Sequence, residues 1–271
     1  MLHAIVCGAA GRMGSTIVRL IHETGGIKLV GAVEWSGSPQ INADAGEVAG
    51  VGKIGVPITA QIAPLLKKQA VVIEFTSPEA TLEHVKAAAQ EHVPMVIGTT
   101  GLNPEQLAEI KRLARKTAVL VSPNMSVGVN VLLSVLGRVA QALGDDYDVE
   151  IIEAHHRFKK DAPSGTALAL GRVVAEALKR DLAKTGTFGR KGIIGERKKE
   201  EIGIMAVRAG DIVGDHTVMF GGLGERLEFI HRAQSRENFA RGAIRAALWV
   251  ADKKDGLYSM QDVLGLIDRV E

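Results

Sequence analysis

The most constraining feature of the chain lies near its start. A short apolar run, residues 2–7, ends in Gly8-Ala9-Ala10-Gly11-Arg12-Met13-Gly14. A helical pattern follows, with Ile17, Val18, Leu20 and Ile21 apolar, and it stops at Gly25-Gly26. A second strand-like run, 27–33, is closed by Glu34. Strand, glycine turn, helix and strand within about 30 residues form the opening unit of a dinucleotide-binding fold. The glycines are needed because backbone N–H groups must approach a pyrophosphate closely. The helix N-terminus then adds unpaired donors and a positive dipole end. Glu34 stands where an acid takes the ribose hydroxyls. It repels a 2′-phosphate, so NADH is the default cofactor, while Arg12 leaves room for NADPH. Trp35 supplies a flat face, either for packing or for stacking near an adenine.

The alternation continues along the first half. Residues 70–75, 94–98 and 118–122 read as strands. Between them, Ser77-Pro78 opens a helix over 80–90, with Ser77 as N-cap and Pro78 at the first helical position. Asn103-Pro104-Glu105 opens another, ending near Lys116. Continuous Val/Ile/Leu runs alternating with helices imply a parallel sheet covered on both faces. Residues 36–66 read as loops with short elements. In such a sheet the carboxyl ends of the strands line the ligand crevice. Gly98-Thr99-Thr100-Gly101 and Ser122-Pro123-Asn124-Met125 both follow strands, so they are candidates for the nicotinamide half.

Near residue 126 the pattern changes. Residues 127–143 form a connecting helix, 147–154 a strand, and 164–182 a strongly patterned helix. The Gly/Lys/Arg-rich stretch 185–200 reads as a loop. Runs 202–208, 217–220 and 226–231 follow without intervening helices, which suggests an antiparallel or mixed sheet. Helical patterns return at 238–252 and 260–268. The expected fold is therefore α/β: a Rossmann-type doubly wound parallel sheet domain over 1–126, onto which 237–271 pack back, plus a second α+β domain with a mixed or antiparallel sheet over 127–236. A length of 271 residues fits two domains.

Composition removes several function classes. Lys plus Arg total 33 and Asp plus Glu 31, a net charge of +2, too balanced for a nucleic-acid arm or a membrane-surface helix. Aromatics at 4% argue against a stacking platform for single strands. Cys7 is the single cysteine, so no disulfide framework or multi-cysteine zinc site is expected. No uninterrupted apolar run of about 20 residues is seen, and the first residues lack a basic stretch or cleavage site. A cytoplasmic protein is the expectation.

The richest segment is EAHHRFKKDAPSGT, residues 153–166. It offers two imidazoles, His155 and His156, the cations Arg157, Lys159 and Lys160, and a helix start at Ser164-Gly165-Thr166. That combination suits binding a carboxylate and delivering a proton beside it. Adjacent His residues on a strand point to opposite faces, so they are poor co-ligands and no metal is expected. Ser164 lacks the G-x-S-x-G elbow of a serine hydrolase and suits a helix cap instead. Cys7, inside the first strand, reads as core.

The same segment, extended to EAHHRFKKDAPSGTA, resembles the signature of the dihydrodipicolinate reductase family. GAAGRMG, VIGTTG, SPNMSVGVN, RAGDIVGDH at 208–216 and the Ala-Leu-Trp of 247–249 resemble that family in order and spacing. The resemblance implies a Rossmann domain plus a mixed-sheet domain through which a homotetramer assembles. It implies reduction of 4-hydroxy-tetrahydrodipicolinate by NADH or NADPH, with loss of water, in diaminopimelate and lysine biosynthesis. It assigns proton handling to His155 and Lys159, and the substrate carboxylates to His156, Gly165 and Thr166. It assigns the cofactor to Gly8, Ala9, Ala10, Gly11, Arg12, Met13, Glu34, Gly98, Thr99, Thr100, Ser122, Pro123, Asn124 and Met125. Some members carry Arg directly after the acid, where it meets the phosphate of NADP; here that residue is Trp35. A different two-domain nicotinamide oxidoreductase, or an NAD(H)-binding redox sensor, are the competing expectations.

Overall fold

In the computed structural model, which describes residues 1–266, Leu2–Cys7 forms β1 and Arg12–Glu23 forms α1. There follow β2 (Ile27–Val33), α2 (Ala45–Ala49), β3 (Ile58–Thr59) and β4 (Ala70–Glu74). Then come α3 (Pro78–Gln90), β5 (Met95–Ile97), α4 (Pro104–Leu113) and β6 (Ala118–Val121). The helix starts follow from local chemistry. The Ser77 hydroxyl accepts from the Ala80 amide, with Pro78 in the first turn of α3. Asn103 and Gln106 bond reciprocally in a capping box at α4.

After α5 (Val127–Leu143) the chain builds a second sheet from β7 (Asp148–His155). Here α6 (Gly165–Ala177), α7 (Leu182–Thr185) and β8 (Gly186–Thr187) precede β9 (Ile202–Arg208), β10 (Gly214–Gly221) and β11 (Arg226–Ala233). The order is β11-β10-β7-β9-β8, with β10 antiparallel to both neighbours and β9 parallel to both of its own. This is a mixed sheet. One face is covered by Leu132, Leu136 and Ala140 of α5 and by Leu170 and Val174 of α6. The opposite face leaves Ile152, Val207 and Ile230 exposed.

Two expectations for this region fail. The helix over 164–182 breaks after Ala177. Lys179 turns left-handed at φ 56°, and the Arg180 amide closes back on the Ala175 carbonyl at 2.7 Å. Asp181 then caps the short α7, its carboxylate accepting from the Ala183 amide. The basic stretch 185–200 is not all loop, because β8 pairs with β9. Its arginines are engaged: Arg190 with Glu150 and Glu201, Arg197 with Asp148 and Glu150. One helical stretch, 127–146, is long and apolar enough by length and composition to cross a membrane, although Asn130, Ser134 and Arg138 interrupt its apolar run. Its Leu132, Leu136 and Ala140 instead face the core just described.

The last described elements are α8 (Glu237–Val250), β12 (Gly256–Tyr258) and α9 (Met260–Val263). The expected helix over 260–268 is short in its described part, and residues 267 and 268 lie outside the described residues. β12 completes a seven-stranded parallel sheet of order β12-β6-β5-β4-β1-β2-β3. One face buries Ala4, Val6 and Ile73 against α1 and α8; the other buries Ile5, Val72 and Ile97 against α3 and α4. Both faces being covered explains why the central strands β1, β4, β5 and β6 are almost continuously apolar. The chain thus forms two compact units, residues 1–127 with the segment from Glu237 onward, and Gly128–Arg236.

Candidate active site

In the first unit, the glycine turn joins β1 to α1. Gly8 has φ 76°, and a Cβ there would lie 2.5 Å from the Phe75 carbonyl oxygen. A Cβ on Gly14 would lie 2.0 Å from the Gly8 carbonyl oxygen, so helix and turn touch backbone to backbone. At Gly11 the nearest such contact is looser, 3.2 Å. No side chain caps α1, and its first turn holds no acid. The orphan amides of that turn are therefore left for an external acceptor. Glu34, at the end of β2, accepts from the Ala10 amide at 3.0 Å and from the Trp35 amide at 3.2 Å. Its carboxylate sits against the turn, where a ribose would follow a pyrophosphate. Arg12 is exposed, and Trp35 is 67% exposed. This cradle fits a dinucleotide.

The turns after β5 and β6 leave from the same end of the sheet. Thr100 is exposed, but Thr99 turns inward, its hydroxyl bonded to Thr81 at 2.8 Å and to the Thr76 amide at 3.2 Å. The Ser122 hydroxyl donates to the Asn124 carbonyl, and the Asn124 side chain accepts from the Ser126 amide. Met125 is a core side chain. Thr99 and Met125 can therefore offer a ligand little beyond backbone.

Beneath these turns lies Glu74, with no exposed side-chain surface. It is bonded to His84 Nδ1 at 2.7 Å and to the Thr76 amide and hydroxyl. Cys7, Glu74 and His84 bring three ligand-type atoms within 4.8 Å of one another, a grouping the sequence did not suggest. The carboxylate is already engaged by these donors. Burial first, and Glu74 next, push the Cys7 thiol well above its ordinary value, which keeps it neutral. The cluster reads as core.

In the second unit, β7 carries Glu153 and His155 two residues apart, hence on one face of the sheet. His155 Nδ1 is 2.6 Å from Glu153 Oε2. Arg208, paired with His155 across β9, grips both Glu153 oxygens at 2.8 Å. Burial would raise the Glu153 pKa, but bonds from Arg208, His155 and the Ser164 amide outweigh it and hold the carboxyl below its usual range. Burial, more than any charge, pushes His155 below the ordinary imidazole range; Lys159 and Arg208 add to this and Glu153 opposes it. Lys159 Nζ lies 2.9 Å from both oxygens of Asp161.

Ser164 is the N-cap of α6, its hydroxyl accepting from the Ala167 amide at 3.1 Å. That hydroxyl also meets His216 Nε2 at 3.1 Å. His216 is 4% exposed, and burial pushes its pKa down to about 4, so it stays neutral. Gly165 and Thr166 follow in the first turn of α6, where no acid competes for the helix dipole. His156, Arg157 and Lys160 lie in the irregular segment after β7, Arg157 and Lys160 exposed. Sequence reasoning left Glu153, Arg208, Asp161 and His216 without a role. Glu153, Arg208 and His216 stand in EAHHR and RAGDIVGDH and Asp161 in KKDAPSG, but the sheet register is what joins the first three.

A doubly wound dinucleotide unit, and a mixed-sheet unit presenting a histidine–carboxylate pair beside a lysine, define a two-unit nicotinamide-dependent oxidoreductase. Residues 2–125 match the family model described as dihydrodipicolinate reductase, N-terminus, and residues 128–264 match the one described as dihydrodipicolinate reductase, C-terminus. The chain belongs to the dihydrodipicolinate reductase family. It is 55% identical over 265 residues to the 4-hydroxy-tetrahydrodipicolinate reductase of Syntrophus aciditrophicus, covering 98% of this chain and 99% of that one. It is 55% identical over 266 residues to that of Syntrophobacter fumaroxidans, covering 98% and 100%. The dipicolinate-bound dihydrodipicolinate reductase of Paenisporosarcina sp. TG-14 shares its fold, with a TM-score of 0.74 at 24% identity over 97% of this chain and 98% of that one.

Proposed function

We propose that this chain reduces 4-hydroxy-tetrahydrodipicolinate to tetrahydrodipicolinate with NADH or NADPH, in diaminopimelate and lysine biosynthesis. The observation that carries the reading is its 55% identity, over 98% of its length, to relatives bearing that activity in their name. In the balanced reaction one hydride and one proton enter the substrate side and one water leaves. The nicotinamide, when bound, supplies the hydride. Gly8 to Met13 hold its pyrophosphate, Glu34 its ribose, and Gly98 to Thr100 with Ser122 to Met125 line the nicotinamide half. Lys159 is the ammonium and His155 the largely neutral imidazole that handle protons. His156, Gly165 and Thr166 take the substrate carboxylates. A dianion needs such cations and helix-end donors.

Glu34 favours NADH, because a carboxylate repels a 2′-phosphate. Replacing it with Gln, which keeps an acceptor for the Ala10 amide, is expected to weaken NADH about 10-fold and leave NADPH equal or tighter. Fluorescence titration of both cofactors checks this; an unchanged NADH/NADPH ratio would remove Glu34 from the ribose site. Calorimetric titration with dipicolinate checks the substrate side. We expect binding that falls at least about 10-fold for the monocarboxylate picolinate, since one charge-assisted pair is lost. Equal binding of the two would contradict a dicarboxylate site.

The open sheet face supports a homotetramer. Ile230, Thr217, Ile152 and Met205 form one row across β11, β10, β7 and β9. A second copy laid on that row would cover it. The assignment to the cytoplasm and the absence of nucleic-acid or membrane partners complete the proposal.

A further inference from the structure

We propose that Glu153 is the positioning residue of the second unit: its buried carboxylate fixes the imidazole of His155 and the start of α6 together, with Arg208 as its counter-charge. The inference rests on the reductase reading above for what His155 does, but its geometry stands apart from it. The Glu153 side chain has no exposed surface. Four donors converge on its two oxygens. Oε1 accepts from the Ser164 amide at 2.9 Å and from Arg208 at 2.8 Å. Oε2 meets His155 Nδ1 at 2.6 Å and accepts from Arg208 at 2.8 Å. Two carboxylate oxygens offer about four lone-pair sites, so the set is filled.

Only an ionised carboxylate satisfies this arrangement. An amide in its place would aim N–H donors at other donors. With the Arg208 fork and the Ser164 amide fixed, Nδ1 of His155 must carry the proton, which leaves Nε2 as the nitrogen for chemistry. The ring fits close to β10 because residue 214 is glycine; a Cβ there would lie 3.0 Å from Nε2. Arg208 also donates to the Asp161 carbonyl at 2.6 Å, and the Asp161 carboxylate holds Lys159. One carboxylate thus registers His155, the first turn of α6 and, through Arg208, the lysine-bearing segment. Removing a buried charge's partner is costly, which is why both halves of the pair are needed.

The charged and titratable groups facing His155 are Glu153 from β7, Arg208 from β9, His216 from β10 at 5.2 Å between ring centroids, and Lys159 from the following segment. Of these only Glu153 favours the imidazolium. Its loss moves the titration of His155 to lower pH.

The experiment is nitrogen NMR of histidine-labelled protein, on the wild type and on Glu153→Gln, beside pH–rate profiles. In the wild type we expect His155 protonated on Nδ1. In Glu153→Gln we expect the Nε2 tautomer, kcat lower by about 100-fold, a pH limb moved downward, and NADH affinity unchanged. Nε2 protonation in the wild type would overturn the proposal, and needs no variant to fold. So would an unaltered tautomer and pH limb in folded Glu153→Gln. If the wild type shows the Nδ1 tautomer but no turnover of 4-hydroxy-tetrahydrodipicolinate, the reductase reading fails and the positioning role stands.

Discussion

Replacing Lys159 with alanine should lower kcat by about 100- to 1000-fold while leaving NADH affinity within about twofold, because the proposed role of the lysine is proton delivery to the substrate. The asymmetry follows from placement. Lys159 lies in the second unit, among Asp161, Arg208 and His155, whereas the glycine turn belongs to the first. Burial pushes His155 below the ordinary imidazole range, which in the proposed mechanism leaves proton donation to Lys159. The fold should tolerate the change. Lys159 pairs with Asp161, whose side chain is 64% exposed, and such pairs contribute at most about 1 kcal/mol. Steady-state kinetics with NADH titration by fluorescence separates the two effects. Equal losses in turnover and NADH affinity would place Lys159 at the cofactor instead.

The second large effect concerns the glycine turn, and the two glycines should respond differently. In Gly14→Ala the new methyl meets the Gly8 carbonyl oxygen at 2.0 Å and the Ala9 Cα at 2.8 Å. These are backbone atoms, so the turn must open. Overpacking of this kind costs about 1–3 kcal/mol, and the distorted amides should bind NADH at least about 100-fold more weakly. In Gly11→Ala the one close contact is 3.2 Å, so the fold has room. In the proposed site its methyl would stand between the backbone and the pyrophosphate. NADH should weaken by about 10-fold or more with the melting temperature nearly unchanged. Thermal melts and NADH titrations on both variants test this. Unaltered NADH affinity in both would remove the turn from the cofactor site.

How far the sequence led depends on the range of the interactions involved. The caps at Ser77, Asn103 and Ser164 act within three residues, and all three were readable as residue types in order. Most strands of the first sheet were readable because burial on both faces leaves the central ones almost continuously apolar. β3 and β12 were not, since Ile58–Thr59 is two residues long and Gly256–Tyr258 three, and each pairs with a single neighbour, β2 and β6. The break after α6 was hidden because Leu178 and Leu182 continue the apolar pattern and no Gly or Pro interrupts it. Lys179 adopts the left-handed conformation without a residue type that announces it.

The site divides in the same way. His155, His156, Lys159, Gly165 and Thr166 stood out because they are crowded into one segment. Arg208 lies 55 residues from Glu153, and only the pairing of β9 with β7 brings them together. His216 joins through the β10–β7 register, opposite Glu153. Residue types were visible; the convergence of four donors on one buried carboxylate was not.

The most direct test is a coupled assay. Aspartate semialdehyde and pyruvate are mixed with the synthase that condenses them, and loss of NADH and of NADPH absorbance is followed with and without this protein. Rapid oxidation that depends on both the synthase and this chain, faster with NADH than with NADPH, is the predicted result. Folded protein that binds NADH yet oxidises neither cofactor under these conditions would contradict the account.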